Sequence, residues 1–511
     1  MRKNPFTSVN QIKLGAILSY STIVLTNILG IVLTPFTIRM LGDAEYGLYL
    51  LMGSIIGYMT VLDFGLTNTI VRYVAKYRAE NDREGEERFL GTAMLIYMAI
   101  AFLIVVIGAL IYVNLNLIFS RSLTAEELTK ARIMFLILIF NLAIDLPGGA
   151  YGAICNAYEH FVIPRAVNVG RYIVRSAMLV GILWLGGRAI SIVVLDTLMN
   201  ISAIIINANH VAKHIKVKIS FQKVDRSLIR KIFSYSIWVF VFAIVGQFQW
   251  RTGQVVLGIL SGTKVVAIYG VGVMLGTYYG SFSTAISSMF LPRATQMIAA
   301  ASTPEQLTNM MVKIGRLSVI VLFFILGAFI LFGRDFIALW VGEGYHDAWF
   351  VALLLMIGYT TPLVQSFANS ILEARALLSF KALLYLGVIA LGTVLGAMLV
   401  KDYGVAGMVV GSVSAWCASQ IVMNVYYSKV LKLNVFRFFK ELYNRILLSF
   451  LLVMIVCSFA GFHGRLGWAY LIVNLSIYSA VYAVVMFRFG MNSFEKDLVV
   501  APFMKLGIIR S

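Results

Sequence analysis

One pattern repeats along this sequence from end to end: unbroken apolar runs of about 20 residues, joined by short polar connections. Each run is long enough to cross a hydrocarbon layer of roughly 30 Å as a helix. Inside such a layer the backbone must satisfy its own hydrogen bonds, which leaves only helices and closed barrels. The runs are continuous rather than alternating, and this excludes a barrel. Composition agrees. Of the 511 residues 60% are hydrophobic and 13% charged, against about 25% charged in a soluble domain. The fold class is therefore all-α and integral to a membrane.

Hydropathy predicts about fourteen spans, near 14–35, 46–69, 91–115, 133–156, 167–187, 189–211, 234–259, 265–290, 316–337, 349–373, 380–400, 405–427, 446–463 and 468–488. The first run follows MRKNPFTSVNQIK and lacks the short apolar core and small-residue cleavage site of a secretory signal, so it is expected to stay as a span. The formal net charge of +19 would suggest nucleic acid in a soluble protein. In a membrane protein it reflects the collection of Lys and Arg in cytoplasmic loops. One loop carries Lys213, Lys216, Lys218, Lys223, Arg226, Arg230 and Lys231 against a single acid, Asp225. The loops near Arg72–Arg88 and Lys429–Arg445 are also basic and fall on the same side. The opposite loops hold mostly lone cations: Arg188, Lys264, Arg334, Lys401 and Arg465. Both termini are therefore expected in the cytoplasm. The stretch Asn434–Ile446 mixes Phe and Leu with Arg and Lys, as an interfacial amphipathic helix does.

Transporters often contain repeated halves. Tyr46-Gly47 recurs as Tyr269-Gly270, and Gly53 and Gly57 recur as Gly276 and Gly280 in the same register. Tyr151–Ala157 resembles Ala368–Ala374, and the same offset pairs Gly170 with Gly387. This predicts a parallel repeat: an N-lobe over 1–212 with spans one to six, a basic cytoplasmic linker over 213–233, a C-lobe over 234–428 with spans seven to twelve, and an addition over 429–511 that holds two extra spans and a tail.

Several segments also resemble a known family. Pro35–Tyr49 (PFTIRMLGDAEYGLY) is similar to the first loop of the Wzx-type polysaccharide and O-antigen flippases, part of the multidrug/oligosaccharidyl-lipid/polysaccharide exporter superfamily. Span two (GYMTVLDFGLTNTIVRYVAKY), Leu291-Pro292-Arg293 and Phe336–Gly342 (FIALWVG) extend the resemblance over essentially the whole chain. The resemblance implies two six-helix lobes around a central cavity that opens alternately to each side. It implies a bacterial inner-membrane transporter of O-antigen or lipopolysaccharide biosynthesis, whose cargo is an oligosaccharide on an undecaprenyl pyrophosphate carrier. It further implies antiport coupled to H+ or Na+, phospholipid as the surrounding partner, and a polysaccharide polymerase and chain-length proteins as protein partners. No cofactor is implied.

An ionisable residue inside a span costs at least about 2.5–3.5 kcal/mol on insertion scales, so each one asks for a reason. Arg171 and Arg175 lie four apart and share a helix face. Arg251 sits beside Gln247, Gln249 and Gln254. Guanidinium forks match phosphate oxygens and stay charged. With the cargo that the resemblance implies, Arg175, Arg251, Arg171, Gln247 and Gln249 are candidates for a pyrophosphate and sugar cavity. Snorkelling to the interface is the alternative for Arg171. Asp145, two residues before Pro147, is the first candidate for ion coupling and Asp196 the second. The structural alternative for Asp145 is an ion pair with an arginine of span five. Asp63 and Glu373 lie near the cytoplasmic ends of their spans, near Arg72 and Arg375, where pairing or gating is expected. Pro35, Pro147 and Pro362 are candidates for bends.

The chain has no Asp-x-Asp motif, no Walker A lysine and no loop beyond roughly 30 residues. Cys155, Cys417 and Cys457 lie in apolar runs, and His160, His210, His214, His346 and His463 show no metal spacing, so no metal is expected. A transporter rather than an enzyme is expected. The open alternatives are a transporter of another cargo, such as a peptidoglycan lipid precursor or a drug, and an integral-membrane polysaccharide enzyme.

Overall fold

The computed structural model describes residues 8–221, 226–288, 290–375, 377–459 and 467–505. Lys223, Asp225 and Arg465 lie outside the described residues. Helices follow one another in the order α1 (Ser8–Leu41), α2 (Asp43–Met59), α3 (Leu66–Ala79), α4 (Arg83–Phe119), α5 (Ala125–Ala157), α6 (Val162–Trp184) and α7 (Ala189–His210). Then come α8 (Arg226–Leu260), α9 (Thr263–Ser288), α10 (Leu291–Ala299), α11 (Pro304–Trp340), α12 (His346–Val364), α13 (Ser366–Ala374) and α14 (Ser379–Lys429). The last four are α15 (Val435–Tyr443), α16 (Ile446–Phe459), α17 (Trp468–Val485) and α18 (Ser493–Lys505).

Among the described residues, 12 stretches are long and apolar enough to cross a membrane. One of them, Ser379–Lys429, is two helices meeting at Gly404 (φ 53, ψ −131). Helix α8, continuous over the run read as span seven, completes the expected set. The fold is all-helical, as the hydropathy requires. Large apolar side chains such as Phe102, Leu117, Leu391 and Leu448 face outward, an arrangement suited to lipid rather than water.

Contacts divide the chain into two units, Met1–Ala267 and Ile268–Ser511. In the first, α5 packs on α4 and α7, α1 on α6, and α8 on α2. The loop-and-helix motif after α1 has a packing reason. Gly42 turns the chain with φ 78, and Glu45, buried at the start of α2, accepts from the Ala189 N–H at 3.1 Å. Its other oxygen lies 3.8 Å from Lys130 and 3.7 Å from Arg188, so one carboxylate ties α2 to α5 and α7. Thr124 and Glu127 cap α5 reciprocally. Glu127 also accepts from Thr263 at 2.7 Å. At the other end of this unit, His160 Nδ1 and His210 Nε2 are 2.9 Å apart, and the His210 and His214 rings stack.

In the second unit α11 is central and packs on α12, α15, α16 and α17. Arg316 on α11 donates to the carboxylate of Glu495 on α18, at 2.6 and 3.1 Å. It also donates to the carbonyls of Glu441, Asn444 and Gly490 at 2.8, 3.2 and 3.0 Å. The expected amphipathic helix is α15: Phe438 and Leu442 are buried while Phe436 is 82% exposed. The two arms of α14 approach closely. A Cβ on Gly411 would collide with the Gly396 backbone and lie 2.7 Å from the Gly392 carbonyl oxygen, the small-residue contact common between membrane helices.

Candidate functional site

The intramembrane charges of the first unit gather in three places. The first is at α6 and α7. Arg175 holds Asp196 side-on through one guanidinium edge; Nε donates to Oδ1, and Nη2 to Oδ2 at 3.0 Å. Tyr49 of α2 donates to the same Oδ2 at 3.1 Å. The two side chains are only 26% and 24% exposed. The bidentate fork is the strongest of the ordinary ion-pair geometries. Asp196, considered by itself an ion-coupling residue, is thus the counter-charge of Arg175. One turn away, Arg171 donates to Asn200 at 3.4 Å, and Asn200 donates to Asn141 at 2.7 Å.

Beside this pair lies a cavity of about 210 Å³, lined by α1, α2, α6 and α7. Its polar lining is Thr26, Thr34, Thr37, Tyr46, Tyr49, Tyr172, Arg175 and Ser176, and its apolar wall includes Leu29, Leu33, Leu179 and Ile192. Arg251 is not part of that lining.

The second place is α8 against α2. Arg251 donates to Gln247 at 2.5 Å and to the Gly53 carbonyl at 3.2 Å. A Cβ on Gly57 would collide with its guanidinium. Gly57 is thus the space in which this arginine lies. Tyr58 donates to Thr252 at 2.7 Å, Ser54 donates to Gln254, and Gln249 is half-buried on α8.

The third place is a break. Between α2 and α3, Phe64 and Gly65 both take left-handed backbone angles, φ 50 and 69. Broken helices in membranes need their freed backbone groups satisfied by other partners. Asp63 supplies them here, accepting from the backbone of Gly65 and Thr67, from Tyr97 at 3.2 Å and from Thr67 Oγ1 at 3.4 Å. Asp145 is exposed on α5 and lies within electrostatic range of the Tyr97 hydroxyl. Among the described residues it makes no ion pair with α6; Arg175 turns to α7 instead.

In the second unit Glu373 is exposed on α13, in electrostatic range of Lys381. Lys381 donates to Asn369 at 2.5 Å and faces the Tyr385 ring at 5.2 Å. Gln365 donates to Asn424 at 2.9 Å and accepts from Gln420. Lys381 and Tyr49 were not singled out by sequence reasoning. Lys381 sits at a span end, where a lysine looks like an interfacial one, and a tyrosine in a span carries no charge signal.

The structure is thus an all-helical membrane architecture with charged pairs held inside its spans. Residues 13–298 match the family model described as "Polysaccharide biosynthesis protein", and the chain belongs to that family. It is 20% identical over 382 residues to a Shigella flexneri protein described as "Putative O-antigen transporter", covering 73% of this chain and 87% of that one. Its fold is similar to that of the lipid II flippase MurJ in an inward closed conformation, with TM-score 0.70 and 12% identity, over 96% of this chain and 99% of that one. It is also similar to an inward-facing multidrug resistance MATE family transporter, with TM-score 0.59 and 12% identity, over 81% of this chain and 96% of that one.

Proposed function

We propose that the chain is a flippase that carries an undecaprenyl-pyrophosphate-linked oligosaccharide from the cytoplasmic to the outer leaflet of the bacterial inner membrane, by alternating access coupled to H+ or Na+. One observation carries this reading: the family match over 13–298 spans the stretch that holds Asp63, Asp145, Arg175, Asp196 and Arg251. In this reading 1–212 and 234–428 are the moving lobes, 213–233 links them, and 429–511 is appended. Arg251 and Arg171, with Gln247 and Gln249, meet the anionic end of the cargo. Asp145, exposed and without an ion-pair partner among the described residues, is the proton or sodium acceptor. Asp63 and Glu373 act at the cytoplasmic ends, Asp63 by holding the α2–α3 break. The product would feed a polymerase and chain-length proteins.

The test is transport by the purified full-length protein in liposomes loaded with lipid-linked oligosaccharide on the inner leaflet. The expected result is protein-dependent appearance of the sugar to an added lectin, slowed when the ion gradient is collapsed. Appearance no faster than in protein-free liposomes would refute the reading.

A further inference from the structure

The cavity beside Arg175 has a chemistry that the pair itself does not suggest. We infer that it is a subsite for one neutral sugar ring of the cargo, formed by α1, α2, α6 and α7, and that it does not bind the phosphate. This rests on the transport reading above.

Charge is the first argument. A lone arginine would call for an anion, but the Nε/Nη2 edge of this one is already engaged by Asp196, which neutralises its charge, and Tyr49 closes the carboxylate's second oxygen. The site is neutral as built. A phosphate would bring uncompensated negative charge next to the Asp196 carboxylate, which is unfavourable inside a membrane.

The second argument is the direction of the hydroxyls. Thr26 donates to the carbonyls of Thr22 and Ile23 at 2.9 and 3.0 Å, Thr34 to Gly30 at 2.6 Å, and Thr37 to Leu33 at 2.8 Å. Tyr49 donates to Asp196. A hydroxyl has one proton to give and keeps its oxygen lone pairs for accepting. With those protons committed to the protein, Thr26 and Thr37 offer a ligand acceptors. A phosphate brings only acceptors and meets like groups. A sugar ring brings hydroxyl donors along its rim and C–H faces for the Leu29, Leu33, Leu179 and Ile192 wall.

Size is the third. The volume of about 210 Å³ falls below the ≈ 300–1,000 Å³ of drug-sized sites. That is room for one ring, not for a chain of them.

The experiment uses saturation-transfer NMR on the full-length protein in lipid nanodiscs, with a panel of neutral methyl hexopyranosides, glucuronate and inorganic pyrophosphate as probes. At least one neutral glycoside is expected to give a signal that pyrophosphate at equal concentration does not displace. That signal is expected to fall at least fivefold in Thr37→Val, which keeps the side-chain shape and removes the acceptor, and in Ser176→Leu, which fills the space. Displacement by pyrophosphate, a stronger signal from glucuronate than from any neutral glycoside, no glycoside signal at all, or wild-type binding in Thr37→Val would each overturn the subsite. The liposome assay separates the two readings. Glycoside binding without movement of lipid-linked oligosaccharide would overturn the transport reading and leave the pocket. Movement with the same sugar preference in wild type and Thr37→Val would overturn the pocket and leave transport.

Discussion

Five acceptors converge on the guanidinium of Arg316: both oxygens of Glu495 and the carbonyls of Glu441, Asn444 and Gly490. Arg316 and Glu495 are 7% and 2% exposed, so removing one leaves the other buried and uncompensated. Breaking a buried pair from one side costs about 3–5 kcal/mol, whereas replacing both partners by well-packed neutral groups is often close to neutral. Arg316→Met is therefore expected to lower the midpoint of thermal unfolding in detergent and to open α18 to protease. The double variant Arg316→Met/Glu495→Gln is expected to recover part of that loss, the share due to the buried charge, while the carbonyls of Glu441, Asn444 and Gly490 still lack their donor; no recovery at all would deny the ion pair its role. The sequence gives no hint of this pairing, because 179 residues separate the partners and Arg316 sits at a span end. The same limit applies at α6. Arg175 and Asp196 both stand out as charges in spans, but the sequence offers Asp145, on the span just before the arginine's, as an alternative partner. Helix rotation decides otherwise: Asp145 is exposed on α5, while Asp196 faces Arg175 across the α6–α7 contact.

Helices, by contrast, were legible almost in full, because a bilayer fixes their length and hydropathy before any packing is considered. Their interruptions were legible only in part. The break at Gly404 falls between the runs read as 380–400 and 405–427, whereas the left-handed pair Phe64-Gly65 lies inside the single run read as 46–69. Where helices end outside the spans, polar groups do the joining. Arg78 of α3 donates to the Ala157 carbonyl and covers the Tyr158 ring at 4.1 Å, and Tyr158 donates to Glu86 of α4 at 2.9 Å. His160 lies in this same polar end. Burial, helped by the charge of Arg78 and by His214, pushes its pKa below the usual imidazole value. A group whose folded pKa is depressed binds more protons when unfolded, so its contribution is complete above the unfolded value and fades as pH falls through the folded one. With an unfolded value near 6.5, the connection from Tyr158 to Phe161 is expected to hold at neutral pH and loosen below about 6.5. Hydrogen–deuterium exchange there, corrected for intrinsic rates, should rise on acidification in wild type and not in His160→Gln. A flat profile in wild type would contradict this.

At the scale of the whole molecule, the basic loops predict which way the chain sits. In a variant lacking Cys155, Cys417 and Cys457, a cysteine at Lys213 is expected to resist a membrane-impermeant maleimide in intact spheroplasts, and one at Arg121 to react. Both positions are exposed, so the reverse pattern would invert the orientation. The two-unit division has a different origin. The repeats of Tyr-Gly and Gly pairs hinted at paired halves, but where contacts divide the chain depends on which helices touch, as α8 does α2. The bend at Gly404 bears on how the chain is made. Its two arms are joined without a loop, and the only charges at the bend are Lys401 and Asp402. With Gly411 already seated against Gly396, these arms can leave the insertion machinery as one preassembled hairpin, and a ribosome would have little polar chain to push across the bilayer at that point.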